Sequence, residues 1–202
     1  MFGHAGDYPA NSGHSGSIDG IGPEGRPLAP QALTADLVQL IFRDYFRIIG
    51  ETYRTYCAFT TAINCRVLAQ FGVAARPMPC QALLRAETGT FALGYLDTPP
   101  EGQWNGHVVT LAGDWLIDCT LAGFRRLGDF PVPDIAIVTG AEPEADVLAS
   151  FEPAPGHRLL WRPPPSGEPG TVPQEPAAMV EEAARALIAA VTRELAERQG
   201  RA

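Results

Sequence analysis

The stretch NGHVVTLAGDWLIDCT, residues 105–120, constrains the fold more than any other part of the chain. HVVTLA and DWLIDCT are rich in β-branched and aromatic residues and meet at Ala112-Gly113-Asp114, where Gly-Asp is a two-residue hairpin signal. With Gly113-Asp114 as the loop, His107 faces Thr120, and Asp118 is its diagonal neighbour at about 7–8 Å by Cα. With Ala112-Gly113 as the loop, His107 sits opposite Asp118 at about 5 Å by Cβ. Both registers keep imidazole and carboxylate on one face. A three-residue loop without a bulge separates them, because a one-residue slip exchanges faces.

A second segment, YCAFTTAINCRVLAQFGVAARP, predicts a helix. Apolar residues recur at Phe59, Ala62, Ile63, Val67 and Phe71, near the helical period, and Gly72 supplies a left-handed stop. Cys57 falls at or near the first turn. A thiol there meets unpaired backbone N–H groups and the positive end of the helix dipole, which favour thiolate and stabilise an oxyanion. A cysteine nucleophile also needs a base, and the base needs a group to orient its ring. Cys57, His107 and Asp118 are the candidates for those three roles.

The order of these segments resembles the transglutaminase-like superfamily of papain-type folds. Its members carry a Cys-bearing helix ending in Leu-x-x-x-Gly-(Ile/Val)-x-Ala-Arg, matched here by Leu68, Gly72, Val73, Ala75 and Arg76. A His-containing strand follows, then a Trp-containing strand ending in Asp-x-Thr, matched by Trp115, Asp118 and Thr120. The likeness covers roughly residues 50–124. It implies an α+β domain with the Cys-bearing helix packed on an antiparallel β-sheet, with Cys57 as nucleophile, His107 as base and Asp118 as its orienter. The flanks Tyr56, Ala58 and Val108 depart from the family's usual neighbours. The nucleophile motifs of arylamine N-acetyltransferases and of papain-like cell-wall peptidases are absent, so the resemblance reaches the fold more directly than any one activity.

The chain has 202 residues, room for one substantial core but not for two large domains. A net charge of −8 argues against a nucleic-acid partner, whose phosphates would be repelled. Every basic residue is Arg; there is no Lys. GC-rich coding accounts for that, the alternative being a crosslinking enzyme that withholds acceptor amines. The opening residues lack a basic region followed by an apolar one, and no run reaches ~18 apolar residues. A cytoplasmic protein with no membrane association is the expectation. Cys57, Cys65, Cys80 and Cys119 form neither a disulfide framework nor a C-x-x-C zinc pattern, so neither a metal nor another cofactor is expected.

Composition divides the chain into a disordered Gly/Ser/Pro-rich arm (1–33), a catalytic domain (34–162), a Pro-rich linker (163–176) and an amphipathic helix (177–198). The domain opens on a helix with Thr34 as N-cap and Gly50 as its stop. Strands follow at 78–86 and 90–96, then at 134–139 and 158–163, with a short helix within 141–151. His4 and His14 fall in the arm, where histidines are usually inert. In the final helix Val180, Ala184, Leu187, Ile188, Val191 and Leu195 form one stripe, fit to pack on the domain or on a second copy as a homodimer.

Each candidate has a plainer role. A cysteine in a helix or strand is often a small buried hydrophobe, which suits Cys65, Cys80 and Cys119. Asp118 can serve as an Asx cap before Thr120. Trp104 and Tyr56 are candidates for the acyl-site wall, although aromatics near a hairpin are commonly packing. Taken together, the residues predict a peptidase, amidase or transglutaminase acting on a peptide, protein or small amide. The alternative is a non-catalytic binding or scaffold protein that retains the fold.

Overall fold

The structure, a computed structural model, describes residues 34–96, 104–139, 146–165 and 170–201. The expected arm, the Pro99–Gly102 loop, the middle of the linker and residues 141–145 of the expected short helix lie outside them. The architecture is α+β with an antiparallel sheet.

Thr34 caps the first helix as expected, its Oγ1 accepting from Leu37 N at 3.3 Å. The helix does not run unbroken to Gly50. It divides into α1 (Ala35–Phe42) and α2 (Tyr45–Ile49) at Arg43-Asp44. Asp44 is a residue type that prefers caps to helix interiors. It receives ion pairs from Arg43 and Arg47 at the break. Gly50, at φ 111°, ends α2. A 3-10 turn (Glu51–Thr55) then delivers α3 (Cys57–Gln70). The end of α3 is a Schellman motif around Gly72 (φ 74°): Gly72 N bonds Ala69 O and Val73 N bonds Leu68 O.

The strands are β1 (Arg76–Ala86), β2 (Gly89–Leu93), β3 (His107–Ala112), β4 (Trp115–Asp118), β5 (Ala136–Thr139), β6 (Ala149–Ala154) and β7 (His157–Arg162). They form one sheet in the order β5-β4-β3-β1-β7-β6, with β2 also paired to β1. The long β1 serves two sets of neighbours. Its first half pairs with β3, and its second half with β2 and β7. The outermost strands β5 and β6 come into contact, so the sheet curls. Strand β6 corrects the expected helix within 141–151. Its first residues pair with Trp161–Leu159 and the Pro155-Gly156 turn closes the hairpin. Pro153 and a register shift are tolerated because β6 is an edge.

Strand alternation divides the core in two. Ala112, Ile117 and Cys119 face the helices, in a cluster with Phe59, Ile63, Val67 and Leu68 of α3. Cys80, Val109, Leu116, Leu159 and Trp161 fill the inside of the curled sheet, with Leu121 and Phe124 of α4 (Ala122–Arg125) and its approach. The last helix, α5 (Ala177–Gln199), packs on α1, α2 and α3. Ala184, Leu187 and Val191 of its stripe are buried, and Val180, Ile188 and Leu195 pack against the same cluster. The stripe is thus used within the chain. No helix among the described residues is long and apolar enough to cross a membrane.

Candidate active site

The β3–β4 register is Ala112↔Trp115, Leu111↔Leu116 and Thr110↔Ile117, so the loop is Gly113-Asp114, with Gly113 at φ 59°. This is the diagonal register of the two expected. His107 Nε2 and Asp118 Oδ2 lie 2.7 Å apart. Both residues have the strand parity of Val109 and Leu116, so they point into the curled sheet, away from the helical layer.

Helix α3 lies on the other face. Thr61 Oγ1 donates to Val108 O at 3.2 Å, and Asn64 Nδ2 donates to Thr110 Oγ1 at 3.1 Å. The helix therefore runs alongside β3 in the same direction. One turn, about 5.4 Å, before Thr61 brings the start of α3 level with the start of β3. Cys57 is the first residue of α3 and His107 the first of β3. They meet at that shared end, where the Cys57 side chain hydrogen-bonds His107. Because His107 Nε2 is engaged by Asp118, Nδ1 is the nitrogen left for the thiol.

Asp118 is saturated with donors. Oδ2 accepts from Trp161 Nε1 at 2.8 Å as well as facing His107. Oδ1 accepts from Thr120 N at 2.9 Å and from Thr120 Oγ1 at 3.1 Å. The orienting contact and the Asx-type cap coexist, one on each oxygen. Burial disfavours charge on Asp118, but His107, Trp161 and Thr120 outweigh it and hold the carboxyl below its ordinary range. Burial likewise opposes an imidazolium at His107, yet Asp118 and Cys57 raise it to about 10. An aspartate and a charged histidine are the favoured pair.

The other cysteines are packed as small side chains. Cys80 and Cys119 are buried. Burial pushes Cys65, on the flank of α3, up to about 11. Tyr56, at the N-cap of α3, is 56% exposed. Its carbonyl accepts from Thr60 N, and its ring stands edge-on to Tyr53 at 5.9 Å. Trp104 is half-buried and joins the site through a hydrogen bond to the Tyr95 hydroxyl. Two participants were missed by sequence reasoning, Trp161 and Tyr95. Trp161 carried no signal beyond a tryptophan in a strand. Tyr95 follows Gly94 in the expected second strand, and a Gly-Tyr step there was a legible hint of a bend. No group of three metal-binding side chains occurs among the described residues.

Comparison with protein-family models, with curated proteins and with solved structures gives no match.

Proposed function

We propose that the protein is a cysteine-dependent acyl-transfer enzyme with a transglutaminase-like, papain-type core, working in a reducing, cytoplasmic setting. The observation that carries this reading is His107, which is bonded by Asp118 at one side of its ring and by Cys57 at the other. A charged imidazole in that position already holds the proton while the Cys57 sulfur attacks an acyl carbon. It then returns the proton to the departing amine. Asp118 fixes the ring and stabilises the imidazolium, while Thr120 and Trp161 fix Asp118. The amides of Cys57, Ala58 and Phe59 precede Thr60 N, which makes the first α-helical bond, to Tyr56 O. Such amides at a helix start are oriented to stabilise a developing oxyanion. Water as acceptor makes the enzyme a peptidase or amidase; an amine makes it a transglutaminase.

Thiol chemistry tests the proposal. Iodoacetamide labels Cys57 ahead of Cys65, Cys80 and Cys119 near neutral pH, and His107→Ala slows that labelling by about 10²-fold, the scale of a lost general base. Equally slow labelling of all four cysteines would overturn the enzyme reading in favour of a binding module. Trapping an acyl group on Cys57 from a library of peptides and small amides names the substrate.

A further inference from the structure

Helix α3 meets the sheet along a polar stripe. Cys57, Thr61 and Asn64 are spaced i, i+4 and i+7, which places them on one face of the helix. Thr61 and Asn64 are buried. Strand β3 answers them in the same order. After His107 comes Val108, whose carbonyl accepts from Thr61 Oγ1 at 3.2 Å. Two residues on is Thr110, whose Oγ1 accepts from Asn64 Nδ2 at 3.1 Å. Asn64 Nδ2 has two hydrogens to give, and Cys119 Sγ lies 3.4 Å from it. One amide thus ties α3 both to the strand of His107 and to the residue that follows Asp118.

Apolar contact alone would not fix this arrangement. Burial has no direction, so a helix can slide on an apolar sheet face with little loss of buried area. Hydrogen bonds are directional. Sliding α3 by one residue, about 1.5 Å, would break the bonds of Thr61 and Asn64 together and leave buried groups unpaired. Cys57 heads the same stripe, and its side chain bonds His107. Thiol and imidazole meet only at the shared end of α3 and β3, so a slide changes their separation directly.

Asn64 also opposes folding where it stands. Its Oδ1 is buried with no hydrogen-bond partner among the described residues. A leucine of similar size would fill the place without an unmet acceptor. What the amide adds is register, a role single buried asparagines play between packed elements.

We propose that Asn64 is a positioning residue: bonded to Thr110 and Cys119, it fixes where α3 sits along β3 and so holds Cys57 against His107. This rests on Cys57 being the nucleophile. Asn64 is enclosed between helix and sheet and acts through that pair alone.

Alkylation of Cys57 by iodoacetamide reads the contact, and urea midpoints of the full chain read the fold. Asn64→Leu should keep the wild-type midpoint yet slow alkylation by about 10²-fold, the scale of a reacting pair misplaced by ~1 Å. Thr110→Val removes the acceptor and keeps the shape. It should slow alkylation similarly, and the double variant no further. In a His107→Ala background, Asn64→Leu should cause no additional loss, because no imidazole remains to be aligned. An equal loss in both backgrounds, the mark of a merely structural residue, overturns the proposal. So does wild-type alkylation in Asn64→Leu and Thr110→Val. Should Asn64→Leu fail to fold, Thr110→Val carries the same comparison in both backgrounds. Slow wild-type alkylation, indifferent to His107→Ala, would instead sink the underlying cysteine-enzyme reading.

Discussion

Trp161 Nε1 and His107 Nε2 share one oxygen, Asp118 Oδ2, at 2.8 and 2.7 Å. A residue of β7 thus sets the charge distribution felt by the histidine of β3, with β1 running between them. Trp161→Phe removes one donor and leaves a buried acceptor short. It should destabilise the fold by about 1–3 kcal/mol, read from urea midpoints at a constant m-value. No loss of stability would mean that water replaces the indole.

Asp118→Asn tests the charge rather than the shape. The amide is isosteric, but its NH₂ and carbonyl cannot match four donors, and it cannot stabilise an imidazolium. Alkylation of Cys57 should fall by about 10²-fold, as for loss of His107 itself, because the base acts through its orienter. Retention of fast labelling would show that Cys57 is activated by its helix alone.

The ion pair also dictates how stability varies with pH. Folded His107 holds its proton up to about 10, whereas the unfolded chain releases it near 6.5. Its contribution is therefore complete below 6.5, falls between those values, and is lost as pH passes 10. Asp118 acts in the opposite sense: its contribution is present above the ordinary 3.8 and disappears as pH falls through its lowered value. Urea midpoints should drop between about pH 6 and about pH 9, and His107→Gln should flatten that drop. An equal slope in the variant would assign the pH dependence to other groups.

Gly94→Ala should be severe for so small a change. Its methyl would meet the backbone nitrogen of His107 at 2.5 Å in a conformation that L residues rarely adopt. A loss above about 2 kcal/mol is expected, with slower Cys57 labelling because β3 must shift. Wild-type stability would show that the bend relaxes freely.

Leu187→Ala asks whether α5 belongs to the fold. Leu187 is fully buried in the cluster shared with α3. Its truncation should cost about 2–5 kcal/mol. A cost near zero would mean that α5 packs elsewhere in solution.

The hairpin was readable in advance because parity is a counting problem: Gly113-Asp114 fixes which side chains share a face, and both expected turns agreed. The Cys57 helix was readable from its period and from Gly72. Trp161 was not, since its bond to Asp118 comes from strand order, and β7 lies beside β1 only after the chain has crossed the whole sheet. Strand β6 was hidden by Glu152 and Pro153, which an edge tolerates and a local reading takes for loop or helix. Tyr95 was hidden because a left-handed tyrosine, at φ 57°, is a property of its clamps, Gln81 and Asn105, and not of its own side chain. The break at Arg43-Asp44 was missed because the apolar face continues across it.

The layering of thiol and base has one more consequence. Cys57 belongs to a helix on the outside of the sheet and His107 to the strand face turned inward, and the histidine's carboxylate is held by Trp161. A chain emerging from synthesis carries Cys57 long before Trp161 exists to hold Asp118. Completion of the sheet is therefore what gives Asp118 its full set of donors and holds His107 in place, so under the proposed function a half-made copy lacks the assembled site.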